Sequence, residues 1–254
     1  MDLKETIVLV TGGASGIGEA CVREIVRLGG CSVILDLQED KGKELAEDLG
    51  EGKAIFIKTN VTTDESVKNA IDIAVKTFGK VHVVINCAGI GGPCKIISKE
   101  SAMTTDFFNS RIQVNLVGSM RLIIFASQKM VENEPNAEGE RGVIINTSSV
   151  AATQGQIGQA AYAASKGGVN GMMLPVAREL GRYGIRVMTI APGVIDTPMF
   201  ANVPEKARQA LEQSIPFPKR LGRTSEYARL AAHIIENPYL NGEVYHLTGA
   251  IRMA

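Results

Sequence analysis

"TIVLVTGGASGIG", residues 6 to 18, runs from an apolar, β-branched stretch through a glycine cluster into the start of a helical pattern. Strand, turn and helix in that order are the setting in which clustered glycines acquire a chemical meaning. Gly12 permits a tight turn, Gly16 lets the backbone approach a phosphate, and Gly18 lets helix and sheet pack closely. Unpaired N–H groups at the helix start attract an anion, so Ser15, Gly16, Ile17 and Gly18 are candidate contacts to a nucleotide diphosphate. The spacing, T-G-x-x-x-G-x-G, differs from the G-x-G-x-x-G form.

Outward from this turn, short Val/Ile runs alternate with amphipathic stretches. "SVILD" precedes a helix from Glu39, "KAIFIK" one from Asp64, and "KVHVVIN" an apolar helix over about 106–132. "GVIINTSS", a helix over 158–180, "GIRVMTIAPG" and "GEVYHL" complete the series. Repeated strand and helix demands parallel strands joined by right-handed crossovers. The strands are apolar throughout, as expected when helices cover both sheet faces. The expected fold is therefore α/β: one Rossmann-type, doubly wound domain over 1–254, its seven-stranded parallel sheet having helices on both faces. Two segments interrupt the alternation. "NEPNAEGER", 133–141, reads as an exposed loop. The stretch 194–222 holds four prolines around a short helix, and its Met199, Phe200, Leu211, Ile215 and Phe217 suit either a lid over an apolar cleft or a packed surface excursion.

Composition narrows the function. Lys+Arg and Asp+Glu number 27 each, so no global field draws the chain to nucleic acid or an anionic membrane. No apolar run approaches the ~18 residues of a membrane span, and no signal peptide is expected. Cys21, Cys31, Cys87 and Cys94 form no C-x-x-C pair, pointing to reduced thiols in an intracellular, reducing compartment. His82, His233 and His246 lie far apart, and no metal site is expected.

Candidate site residues gather at strand ends, where a parallel sheet opens into its ligand cleft. Asp36 closes the second strand, where a carboxylate can accept both ribose hydroxyls of NAD and repel the 2'-phosphate of NADP; capping the next helix is the alternative. Asn60 and Val61 close the third strand, where an amide oxygen can take an adenine amino group. Cys87, Ala88 and Gly89 offer small residues beside a cofactor, and Cys87 has no neighbouring base to make it a nucleophile. Ser149 ends the fifth strand, thirteen residues before Tyr162. Tyr162 and Lys166, four apart, share a helix face in "AAYAASKGG", 160–168. Oxidising an alcohol needs a base beside its hydroxyl. Tyrosine, with a pKa of ~10, is a poor one unless a nearby ammonium favours the phenolate.

The glycine-rich turn, strand-end Ser149, Y-x-x-x-K and "PGVIDTP" together resemble the short-chain dehydrogenase/reductase family along essentially the whole chain. The resemblance implies that Ser149 hydrogen-bonds the substrate oxygen, Tyr162 is the catalytic base and Lys166 holds the nicotinamide ribose. It further implies that Asn115 positions a water behind the lysine, although a helix-kink role also suits Asn115. Thr197 would bind the nicotinamide carboxamide, with Pro192 and Gly193 shaping the turn beneath the ring. "NEPNAEGERGVIINTSSVAA", "GQAAYAASKGG" and "ENPYLNGEVYHLTGAIRM" are similar to the branch that oxidises L-3-hydroxyacyl-CoA, and steroid alcohols, with NAD. That branch implies a homotetramer, usually mitochondrial, and a substrate contact from Gln159. Asn60, where the family usually has Asp, and Asp196, where it has a small residue, depart from the pattern. Lys95 and Lys99 fall in the family's variable substrate loop, as CoA-phosphate contacts or as solvated loop lysines. The rivals are a 3-oxoacyl-carrier-protein reductase, another alcohol dehydrogenase of this fold, or a scaffold subunit with some affinity for RNA.

Overall fold

The computed structural model describes residues 1–4, 6–99, 101–198 and 205–253. Seven parallel strands form its sheet: β1 (Ile7–Thr11), β2 (Cys31–Asp36), β3 (Ala54–Lys58), β4 (Val83–Asn86), β5 (Gly142–Thr147), β6 (Ile185–Pro192) and β7 (Val244–Leu247). Their order is β3-β2-β1-β4-β5-β6-β7. The chain runs outward from β1 to β3, returns, and places β4 on the other side of β1. That reversal opens a crevice above the C-terminal ends of β1 and β4.

Period-two alternation divides each strand between two apolar layers. Val8, Val10, Ile34, Val83, Ile85, Ile145 and Met188 meet α1 (Gly16–Arg27) and α8 (Thr224–Glu236) on one face. Leu9, Val33, Leu35, Val84, Ile144 and Val187 meet α3 (Asp64–Phe78), α5 (Gly118–Met130) and α6 (Ala160–Leu180) on the other. Burial on both faces explains why the strands read as continuous apolar runs. The remaining helices are α2 (Glu39–Leu49), α4 (Thr105–Arg111) and α7 (Glu205–Ser214).

Three features differ from the sequence reading. The helix expected over 106–132 is α4 and α5 joined through a π-helical turn, Ile112–Val117, with buried Asn115 inside it. Helix α8 has no counterpart among the expected elements. Its Tyr227, Ala228, Ala231, Ile234 and Ile235 are buried at helical spacing, and Glu226 closes its first turn by accepting from Arg223 N at 2.7 Å. The loop 133–141 is largely exposed, yet its Glu140 is buried. Glu140 pairs with Arg186 at 2.6 Å and with the Met1 amine at 2.9 Å. Arg186 also donates to the carbonyls of Ile234, Ile235 and Leu240, each at 2.8 Å. A carboxylate leaves water here because its charge is fully paired.

In the stretch 194–222, Met199 and Phe200 lie outside the described residues. Ile215 packs with Val194, Leu221 and Ile251, and Leu211 lies partly against them. Phe217 stands 81% exposed.

Candidate active site

Above the strand ends lies a cleft of about 880 Å³, and most of the residues singled out by motif line it. Its walls include Gly12, Ser15 through Gly18, Asp36, Asn60, Val61, Cys87 through Gly89, Ser149, Tyr162, Lys166, Pro192, Gly193 and Thr197.

The glycine turn is shaped by close approach. Gly12 has φ +63°, and a Cβ there would sit 2.9 Å from Ala88 N. A Cβ on Gly18 would run into the Gly12 carbonyl oxygen. Thr11 secures the opposite wall, its Oγ1 accepting from Cys87 N and Ala88 N, both at 3.1 Å. Ser15 is the N-cap of α1 but makes no side-chain cap. First-turn N–H groups of α1 therefore lack a capping oxygen, a deficit that an anionic diphosphate can fill. The turn fits a dinucleotide.

Asp36 joins that turn to α2: its Oδ2 accepts from Ala14 N at 3.1 Å and its Oδ1 from Gln38 N at 3.0 Å. Each carboxylate oxygen keeps lone-pair capacity for a ribose hydroxyl. The ligand and helix-start readings of Asp36 thus describe one geometry. Asn60 differs from its expected role. It lines the cleft, but its Oδ1 accepts from Thr62 N at 3.0 Å and Thr62 Oγ1 at 2.8 Å, so the oxygen meant for adenine is already engaged.

The catalytic candidates converge from β5, α6 and the π turn. Ser149 Oγ accepts from Ala151 N at 3.1 Å, which leaves its own proton available. Ser149 and Tyr162 line the same cleft. Lys166 is buried, its Nζ donating to Thr147 O at 2.7 Å and lying 5.8 Å from the Tyr162 ring centroid. Two of the ammonium's three protons remain free of that bond. Burial pulls the Lys166 pKa down to about 8. Burial also raises the Tyr162 phenol, opposed in part by the Ser149 hydroxyl. Desolvation, rather than the charge of Lys166, sets the direction of the Tyr162 shift.

Asn115 serves as a brace. Its Oδ1 accepts from Ile90 N at 2.8 Å, and its Nδ2 donates to Ile90 O at 3.0 Å and Ser165 Oγ at 2.9 Å. A Cβ on Gly89 would stand 3.4 Å from Asn115 Oδ1 and 3.6 Å from Lys166 Nζ, so the glycine keeps this corner open. Gln159 is not among the cleft residues, its Oε1 accepting from Gln156 N at 2.9 Å to close the turn into α6. Lys95 and Lys99 are exposed loop residues. Asp196 is paired: Arg208 of α7 donates to its Oδ2 at 2.8 Å.

Two participants escaped the motif reading. Arg111 lines the cleft one helical turn before Asn115, stacks on the Phe107 ring at 3.4 Å and donates to Gly91 O at 2.9 Å. A lone cation four residues before the asparagine was its only signal. Thr147, whose carbonyl holds Lys166, carries no sequence mark at all, because the contact is made by backbone.

The short chain dehydrogenase family model matches residues 6–208, and the chain belongs to that family. Among its relatives is the 3-hydroxyacyl-CoA dehydrogenase type-2 of Mus musculus, 48% identical over 253 residues, covering 99% of this chain and 97% of the relative. The protein of the same name from Drosophila melanogaster is 47% identical over 253 residues, 99% of each chain. The crystal structure of 3-hydroxyacyl-CoA dehydrogenase type-2 from Mycobacterium avium superposes with a TM-score of 0.92 at 40% identity, over 98% of this chain and 96% of that one.

Proposed function

We propose that this short-chain dehydrogenase interconverts L-3-hydroxyacyl-CoA and 3-oxoacyl-CoA with NAD(H), as one cofactor-binding domain with a substrate lid at about 194–222. The observation carrying this reading is the meeting of Asp36 with Ser149, Tyr162 and Lys166 around one cleft. The names of the relatives supply the thioester.

NAD bound along the glycine turn supplies the acceptor for the substrate's hydride. The chain's own part is proton transfer and orientation. Ser149 Oγ donates to the carbinol oxygen and holds it beside Tyr162 Oη, which removes the hydroxyl proton. In the reductive direction the same Oη returns it. Lys166, held by Thr147, has N–H groups left that would hold the ribose hydroxyls of a bound cofactor, and its charge would favour the phenolate. Asn115 fixes the Ile90 backbone and Ser165 around the lysine. Asp36 selects the unphosphorylated adenosine ribose, which disfavours an NADPH-dependent reductase. A homotetramer in mitochondria, implied by the resemblance, belongs to the same proposal; the partly exposed Ile124 and Leu174 on α5 and α6 suit an assembly face.

The test is steady-state turnover of purified protein with acetoacetyl-CoA and NADH, beside NADPH and a steroid ketone. Faster turnover with the thioester and NADH is the expected result. Activity confined to the steroid, or to NADPH, would overturn the substrate or cofactor assignment.

A further inference from the structure

Arg111 stands on the cleft wall without a part in the proton transfer, and its surroundings select what it can hold. Its guanidinium carbon lies 3.4 Å from the centroid of the Phe107 ring, one turn earlier on α4. Arg111 lines the cleft and Phe107 does not, so the ring backs the guanidinium on the side away from the cleft. The edge of the guanidinium is largely spent. Nη1 donates to Ser110 Oγ at 2.9 Å and Nη2 to Gly91 O at 2.9 Å, while Nε is buried and has no partner among the described residues. Bidentate grip on a phosphate needs neighbouring N–H groups free along one edge. Here each Nη has already given a proton and Nε is out of reach, which leaves the flat face.

A planar cation held by its edge and backed by a ring suits a second flat π system on its open face. The cleft has the right character beside it. Ile90, Val61 and Val114 are apolar wall residues, and Gly92, at φ +99°, has no side chain beside Nη2, where a Cβ would stand at 3.8 Å. Val61, at the end of β3, packs on the same continuous helix that carries Arg111, since a Cβ on Gly118 would meet its Cγ2 at 2.9 Å. Next to Val61, the Asn60 oxygen is engaged by Thr62, so the acceptor expected for an adenine amino group is taken. What this end of the cleft offers a base is a ring-face contact.

We propose that Arg111 is an adenine-binding residue, stacking its guanidinium on the base of the dinucleotide with Phe107 behind it. The inference rests on the reading of the cleft as an NAD(H) site. Such a contact acts on dinucleotide affinity and leaves hydride and proton transfer alone.

Fluorescence titrations of NADH, and of reduced nicotinamide mononucleotide, which lacks the adenosine half, test it on full-length wild type, Arg111→Met, Arg111→Lys and Phe107→Leu. Arg111→Met keeps the aliphatic stem, and it should raise the NADH dissociation constant roughly five- to thirtyfold while leaving that of the mononucleotide within about twofold. Arg111→Lys keeps the charge without the flat face and should recover little of the loss. Phe107→Leu, which leaves the guanidinium but removes its backing, should weaken NADH roughly two- to fivefold. An NADH affinity unchanged in Arg111→Met and Phe107→Leu would overturn the inference, as would equal losses for both nucleotides. A lysine variant that binds NADH like wild type would replace stacking with a phosphate contact. A wild type that binds neither nucleotide would instead overturn the NAD(H) reading itself.

Discussion

Replacing Asp36 with alanine should convert an NAD-selective site into one with little preference. The carboxylate contributes twice. Its two oxygens can each accept a ribose hydroxyl, and a hydrogen bond to a charged group is worth about 1.5–3 kcal/mol. It also repels a 2'-phosphate, by about 3 kcal/mol per unit charge at ~5 Å and an effective dielectric of ~20, discounted because Asp36 is only half-buried. The substitution further releases Ala14 N and Gln38 N, now donating to Asp36 at 3.1 and 3.0 Å, as donors for the phosphate. Together these shift the NADH:NADPH ratio of kcat/KM by roughly 10²–10³-fold, or about 3–4 kcal/mol. Initial rates with acetoacetyl-CoA and each cofactor, for wild type and Asp36→Ala, measure the ratio directly. An unchanged ratio would refute the selectivity assigned to this carboxylate.

Gly18→Ala should lower the melting temperature and weaken NADH binding, since its Cβ meets the Gly12 carbonyl; overpacking of this kind costs ~1–3 kcal/mol. Gly171→Ala, inside α6 with open space around its Cβ, should instead stabilise by ~0.5–1 kcal/mol in the same melts. His82 accepts from Ile7 N through Nδ1, and burial followed by the charge of Lys80 lowers its pKa to about 4. A folded pKa below the unfolded 6.5 means the neutral ring's contribution is complete above about pH 6.5 and is lost as pH falls towards 4. The unfolding free energy from urea titrations should therefore drop less between pH 7 and 4.5 for His82→Gln than for wild type, by ~1–2 kcal/mol after discounting for partial exposure. Arg186→Met should destabilise by ~3–5 kcal/mol in urea unfolding, because Glu140 loses its guanidinium and three carbonyls lose a donor.

Much of this was legible locally. Strand ends such as Val10–Thr11 and Leu35–Asp36 announce themselves because both sheet faces are apolar and the chain must then turn. Glycines at 12 and 18 state a steric requirement, and Tyr162 and Lys166 a helical spacing. What remained hidden depends on partners distant in sequence. Glu140 reads as a solvated loop residue until Arg186, forty-six positions later, is placed beside it. Asn60 reads as a free acceptor until the turn brings Thr62 onto its oxygen. The direction of the Tyr162 shift follows from desolvation, which no i, i+4 pattern contains. Helix α8 carries its own apolar periodicity in Tyr227, Ala228, Ala231, Ile234 and Ile235, directly after a proline-rich stretch that breaks the strand–helix alternation.

The most direct test of the central claim is the turnover of acetoacetyl-CoA by NADH in wild type and Tyr162→Phe, with NADH affinity measured in parallel by fluorescence. The phenol is assigned the proton transfer and no part in adenosine recognition. Its removal should lower kcat by roughly 10²–10⁴-fold while leaving the NADH dissociation constant within about threefold. A variant that keeps most of its rate would contradict the account, and so would a wild type that turns over no 3-oxoacyl thioester.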